Sequence, residues 1–159
     1  MSSSISLSEL KAFRSKLKAE GKKVVFTNGV FDLIHSGHVD YLSKAKKLGD
    51  ILIIGLNSDD SVKRIKGDKR PILKQEERAF ILSNLKPVDY VILFDEDTPQ
   101  KLISEIIPDI LVKGGDWSVE KIVGKEVVEK NGGKVINIEF VNDQSTSKII
   151  DLIIQRYSK

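Results

Sequence analysis

The chain has no cysteine among its 159 residues, which excludes disulfides, thiolate nucleophiles and Cys-ligated zinc, and agrees with a reducing compartment. It needs no such staple, because one domain of this length buries roughly two-thirds of the surface its unfolded form exposes. Long apolar runs are also missing. None approaches the roughly 20 residues that cross a bilayer, and Met1-Ser-Ser-Ser-Ile lacks the basic and apolar regions of a secretory signal, so a cytoplasmic protein without a membrane partner is expected. Charge of one sign is scarce in excess: 26 Lys and Arg stand against 23 Asp and Glu, a net +3. That balance favours anionic ligands mildly and does not imply nucleic acid. What remains, 40% hydrophobic and 31% charged residues, describes an ordinary globular chain.

Apolar spacing predicts alternating strands and helices. A helix over 6–21 is opened by a Ser6/Glu9 capping box, carries Leu7, Leu10, Phe13 and Leu17 as a stripe, and ends at Gly21. Val24-Val25-Phe26 reads as the first strand, Thr27 to Gly37 as a loop, and Val39, Leu42, Ala45 and Leu48 as a helix face ending at Gly49. Ile51 to Leu56 is apolar throughout, as in a parallel strand covered on both faces. A basic segment at 61–70, a helix near 75–85 and a strand at Tyr90 to Phe94 follow. Thr98 suits an N-cap and Pro99 the first position of a helix that Pro108 stops. Then come Ile110-Leu111-Val112 as a strand, a helix around 122–130, the Asn131-Gly132-Gly133 turn, a strand from Lys134 to Phe140 and a last helix from about Thr146. The expected fold is a single α/β domain over 1–159: a Rossmann-like, doubly wound, five-stranded parallel sheet with helices on both faces and the N-terminal helix of residues 1–22 packed on it. Ligands of such sheets bind beyond the carboxyl ends of the strands at the switch point, so the loops after the first and fourth strands matter most.

Both histidines of the chain fall in the first of those loops, in His35-Ser36-Gly37-His38. A spacing of three at a helix start sets two imidazoles beside free backbone N–H groups, where the helix dipole favours an anion, and Gly37 permits close approach by a phosphate. A surface pair is one alternative. A metal pair is another, weaker one, with Asp32 and Asp40 as candidate third ligands. Lys63-Arg64-Ile65-Lys66-Gly67-Asp68-Lys69-Arg70 is either a solvated basic loop or, the preferred reading, a mobile phosphate clamp in which Lys66 and Arg70 act. Lys46 and Lys47 read as ordinary exposed lysines. Lys113-Gly114-Gly115-Asp116-Trp117 lies across the switch point. Its glycines permit backbone contact with a nucleotide, Lys113 can reach a phosphate and Asp116 can orient it, while Trp117 is either a base-stacking or a packing residue.

Asn28-Gly29-Val30-Phe31-Asp32-Leu33-Ile34-His35-Ser36-Gly37-His38 resembles the G-x-F-D-x-x-H-x-G-H signature of the cytidylyltransferase-like nucleotidyltransferases. With Lys66-Gly67-Asp68-Lys69-Arg70-Pro71, Asp97-Thr98-Pro99-Gln100, Val112-Lys113-Gly114-Gly115-Asp116 and Ser145-Thr146-Ser147, the chain resembles the branch of D-glycero-β-D-manno-heptose 1-phosphate adenylyltransferases, as a monofunctional version. The resemblance implies that ATP and heptose 1-phosphate give ADP-heptose and pyrophosphate for the lipopolysaccharide inner core, with Mg²⁺ carried mainly by the nucleotide phosphates, in a homodimer. By carry-over, His35 and His38 are catalytic, and Lys66 of the basic segment is expected to act with them. Asn28, Gly29, Phe31, Gly37, Arg70, Lys113, Gly114, Gly115, Asp116, Ser145, Thr146 and Ser147 bind the nucleotide, the last three at a helix N-terminus.

A sugar phosphate, with a second pKa near 6, is already a nucleophile at neutral pH, so the site must gather and neutralise charge rather than supply a base. Two departures from the family pattern stand out. Phe140-Val141-Asn142-Asp143-Gln144 lacks the Arg that cytidylyltransferases carry before the Ser/Thr motif, which favours the heptose branch, and Val30 replaces a frequent Thr. A glycerol-3-phosphate or other alcohol-phosphate cytidylyltransferase, and a nucleotide-binding module without turnover, are the competing readings.

Overall fold

A computed structural model describes residues 3–4, 6–115, 118–140 and 144–158. In chain order the elements are β1 (Ser3–Ser4), α1 (Leu7–Ala19), β2 (Val24–Gly29), α2 (Ser36–Lys46), β3 (Ile51–Asn57), α3 (Asp59–Lys66), α4 (Gln75–Ser83), β4 (Tyr90–Phe94), α5 (Gln100–Ile106), β5 (Ile110–Gly114), a 3₁₀ turn at Val119–Lys121, α6 (Lys125–Lys130), β6 (Lys134–Ile138) and α7 (Thr146–Tyr157). The five expected strands form one parallel sheet, extended at its edge by β1, in the order β1-β4-β3-β2-β5-β6. A serine pair carries no strand pattern, so β1 was invisible to periodicity; its backbone pairs with Tyr90 and Val91.

Alternation along β2 sends Val24 and Phe26 into one core and Val25 into the other. The first core also receives Leu10 and Leu17 of α1, Leu102, Ile103 and Ile106 of α5, and Val128 of α6. The second receives Tyr41, Leu42 and Ala45 of α2 and Leu82 of α4. Each fully buried aliphatic side chain stabilises the fold by about 1.5–3 kcal/mol, and both faces of the sheet are covered, as a parallel sheet requires. The capping box forms as expected: the Glu9 N–H donates to Ser6 Oγ at 3.3 Å and the Ser6 N–H to Glu9 Oε2 at 2.9 Å. Asp109, just before β5, accepts from the Val24 N–H at 2.7 Å and from Arg14 of α1 at 2.9 Å, binding helix and strands together.

Four expectations need correction. The first half of the basic segment is helical: Ser58 caps α3 by accepting from the Ser61 N–H, and Asp59 and Asp60 sit in its first turn, where the helix dipole favours them. The helix expected over 122–130 starts only at Lys125, because Gly124 caps it at φ +89, and a separate 3₁₀ turn at Val119–Lys121 precedes it. Pro99 itself occupies the N-cap of α5, one residue later than expected. The last strand stops at Ile138, and Phe140 instead folds its ring over Gly114, where an added Cβ would lie 2.5 Å from Phe140 Cζ and 3.1 Å from Tyr41 Cε2.

Candidate active site

From β2 the chain moves outward to β3 and β4, then returns to place β5 on the other side of β2. The crevice between the carboxyl ends of β2 and β5 is therefore the switch point. Asn28 ends one wall and Lys113 the other, and Lys113 Nζ donates to Asn28 Oδ1 at 2.9 Å. Burial strips water from this ammonium and lowers its pKa from 10.5 to about 8, because desolvation disfavours the charged form. Asn28, Gly29, Lys66 and Lys113 line one cleft of about 310 Å³, together with residues 97–99 and 121–123.

Beside the cleft, the loop after β2 is built around Phe31. This residue sits at φ +46 with its ring 5% exposed, a conformation that costs a bulky side chain of the order of 1–3 kcal/mol and that proteins keep mainly at functional sites. The ring lies on Gly29, where a Cβ would come within 2.9 Å of it, and 5.2 Å from the ring of His38. His38 stacks in turn on His35 at 3.9 Å. Gly37 leaves room for that stack, since a Cβ there would lie 3.0 Å from His35 Nδ1. Burial and the neighbouring His35 push His38 down from 6.5 to about 4, and burial alone lowers His35. Both imidazoles are thus neutral at pH 7. Both Nδ1 atoms are buried without a hydrogen-bond partner among the described residues. An unpaired buried nitrogen costs about 1–3 kcal/mol, so two side by side at a helix start suit a polar ligand.

The basic segment divides between the two sides of the site. Lys66, at the end of α3, reaches the cleft. Arg70 instead donates its Nε to the fully buried carboxylate of Asp32 at 2.5 Å, and that carboxylate also accepts from the N–H groups of Ile72 and Leu73. The expected clamp is therefore anchored at both ends, leaving Gly67 to Lys69 between them. Lys63 pairs with Asp60, and Arg64 with Asp95 and Asp97. Asp32 serves this anchor rather than a metal, and Asp40 pairs with Lys44. Ser145 caps α7 by accepting from the Lys148 N–H, Thr146 Oγ1 donates to the Leu33 carbonyl at 3.4 Å, and Ser147 is exposed. The N-terminus of α7 is thereby tied to the histidine loop. Gly114 makes room for Phe140 and Tyr41, so that packing as well as any nucleotide contact calls for glycine there, while Gly115 turns at φ +94 and donates to the Ile138 carbonyl. Asp116 and Trp117 lie outside the described residues.

Arg78 escaped the sequence reading. It is completely buried and donates to the carbonyls of Val30 and Leu73 and to Asp59 at 2.8 Å, so the backbone of Val30 contributes where its side chain has no hydroxyl. The only sequence signal was an arginine on the same helical face as Leu82.

The profile of the cytidylyltransferase-like family matches residues 26–152. The bifunctional protein HldE of Citrifermentans bemidjiense is 61% identical over 139 residues, covering 87% of this chain and 28% of that protein; the chain thus spans less than a third of that relative. The lipopolysaccharide core biosynthesis protein of Thermoplasma volcanium superposes with a TM-score of 0.63 at 34% identity, over 78% of this chain and all of that one. The pantoate-beta-alanine ligase of Francisella tularensis shares the fold, with a TM-score of 0.62 at 16% identity, over 92% of this chain and 69% of that one. With the signature loop seated at the switch point and most of its length matched by the family profile, the chain belongs to the cytidylyltransferase-like family.

Proposed function

We propose that the chain transfers AMP from ATP to D-glycero-D-manno-heptose 1-phosphate, giving ADP-heptose and pyrophosphate. The observation that carries this reading is the convergence at one end of the sheet of two neutral stacked histidines, the α7 N-terminus tied to their loop, and a desolvated lysine. The identity to HldE and the likeness to a lipopolysaccharide core biosynthesis protein support the choice of substrate class.

An oxygen of the sugar phosphate attacks the α-phosphorus, the new P–O bond forms, and the bond to the bridging β-oxygen breaks as pyrophosphate leaves. No base is needed, because the attacking phosphate is already ionised. His35 and His38 donate N–H groups to the α- and β-phosphoryl oxygens, and the approaching polyanion raises their pKa, so that they take up charge as it develops. Lys66 and Lys113 hold phosphate oxygens from opposite sides of the cleft. Asn28 fixes the lysine head, Phe31 and Gly37 fix the histidine rings, and the amides of Ser145 to Ser147 receive the triphosphate at a helix N-terminus. Arg70, held by Asp32, acts through the loop it anchors. No group of three metal-ligating side chains occurs among the described residues. Mg²⁺ carried on the nucleotide phosphates would screen their charge. No described helix is long and apolar enough to cross a membrane, and the reaction belongs in the cytoplasm, with the protein a homodimer whose mass sedimentation would report.

The test is pyrophosphate release with ATP or CTP against a panel of sugar and alcohol phosphates. ATP with heptose 1-phosphate should give the highest specificity constant. Equal values for ATP and CTP, or a preference for CTP with glycerol 3-phosphate, would replace this reading with the cytidylyltransferase one.

A further inference from the structure

Asp97, Thr98 and Pro99, which follow β4, take no part in the phosphate chemistry above, yet all three line the cleft that contains Asn28, Lys66 and Lys113. For a site that only holds phosphates this is electrostatically awkward. Among the described residues, Lys66, Lys113 and Lys121 are the cations of the cleft and Asp97 is its sole carboxylate. Even offset in part by the Arg64 guanidinium, a carboxylate there adds nothing to phosphate binding, which suits it to another part of the ligand.

Asp97 is also held in place. Its Oδ1 accepts from Arg64 Nε at 2.7 Å, while a second nitrogen of Arg64 donates to the Asp95 carbonyl and lies 3.4 Å from the Asp95 carboxylate. Asp97 and Thr98 form the common wall between the cleft and an adjoining open depression lined by Arg64, Asp95 and Glu96. On that wall a carboxylate and a guanidinium stand side by side, presenting acceptor and donors together. A hydroxyl group is both donor and acceptor, so a row of hydroxyls is the ligand chemistry such a wall satisfies. The second oxygen of Asp97 and the Thr98 hydroxyl extend the row.

We infer that Asp97, positioned by Arg64, and Thr98 form a polyol subsite that binds the sugar hydroxyls of the phosphorylated acceptor while the lysines hold its phosphate. The inference rests on the sugar-phosphate reading and deepens it by naming the residues that select a hydroxyl-rich acceptor over a bare phosphate. A divalent cation is the rival occupant of this carboxylate, and a guanidinium already in contact with it opposes a second positive charge.

Isothermal titration of the wild-type chain and of Asp97→Asn with heptose 1-phosphate, with a non-hydrolysable ATP analogue plus Mg²⁺ and with inorganic phosphate separates the roles. Asparagine keeps the shape of the side chain, and thermal melts of both proteins report folding. Affinity for heptose 1-phosphate should fall about ten- to a hundred-fold, as expected for hydrogen bonds to a charged group, with the other two ligands unchanged within about twofold; Thr98→Val should lose less in the same direction. An unchanged sugar-phosphate affinity overturns the subsite. So does parallel weakening of the nucleotide, or a raised Mg²⁺ requirement. The two ideas fail separately. A wild-type chain that turns over ATP and heptose 1-phosphate but ignores Asp97→Asn loses the subsite alone, whereas one that is inactive with ATP yet binds sugar phosphates through Asp97 loses the adenylyltransferase reading alone.

Discussion

Arg70 Nε and the Asp32 carboxylate meet at 2.5 Å with the carboxylate wholly buried and the arginine side chain 16% exposed, so the basic segment is fastened to the signature loop from inside the protein. Replacing Asp32 by alanine leaves a guanidinium and two backbone N–H groups without their acceptor. Removing one partner of a buried pair costs about 3–5 kcal/mol, and urea unfolding should show a loss of that order. A loss under about 1 kcal/mol would mean that the anchor is dispensable.

The same anchor sets the pattern of motion expected in the unliganded protein. Amide hydrogens of Asp68 and Lys69 should exchange fast and slow down when ATP binds, while those of Gly67, which donates to the Lys63 carbonyl at 2.8 Å, and of Ile72 and Leu73, which donate to Asp32, should be protected throughout. Uniform exchange across 67–73 would remove the distinction between a short mobile stretch and its fixed end.

His38→Ala should lower turnover by roughly a hundred-fold while the protein stays folded, since one preorganised donor to a charged transition state contributes about 3 kcal/mol. The check is pyrophosphate release beside a melting curve; near-wild-type turnover would sink the assigned role.

His38 also shapes the response to acid. Its folded-state pKa of about 4 lies below the ordinary 6.5, so between these values the unfolded chain binds a proton that the folded chain refuses. Stability therefore falls as pH drops from about 6.5 toward 4, and the loss levels off once the folded protein takes the proton too. Denaturant midpoints across this range should fall less steeply for His38→Asn. An identical slope in both proteins would contradict the sign.

Lys113 gives an opposite limb. Anion binding needs its charged form, and with a pKa of about 8 in the free protein, affinity for the triphosphate should weaken as pH rises through that value. Lys113→Met should bind more weakly at pH 7 and lose the alkaline limb in titrations of the nucleotide.

Gly114→Ala tests packing apart from chemistry. The added methyl must displace the Phe140 ring from 2.5 Å, and overpacking of this kind costs about 1–3 kcal/mol. A lowered midpoint with nucleotide affinity intact is the expected result.

The sequence by itself determined the strand and helix alternation, because core burial on two faces of a parallel sheet imposes continuous apolar runs, as in Ile51 to Leu56, and a 3.6-residue stripe, as in Leu10 and Leu17 of α1. It also determined where chemistry would lie, since the signature loop carries both histidines. What it left undecided depended on partners distant along the chain. Whether 61–66 was loop or helix turned on the Ser58 cap winning over a run of like charges. Whether Arg70 faced solvent or a buried carboxylate turned on Asp32, 38 residues away. The glycines of the site were legible as glycines, yet their reasons were rings brought over them by tertiary packing, Phe31 on Gly29, His35 on Gly37 and Phe140 on Gly114. Arg78 and Asp97 gave the least local signal of all, because a buried guanidinium and a lone carboxylate among lysines gain their meaning only when folding excludes water and fixes the groups that face them.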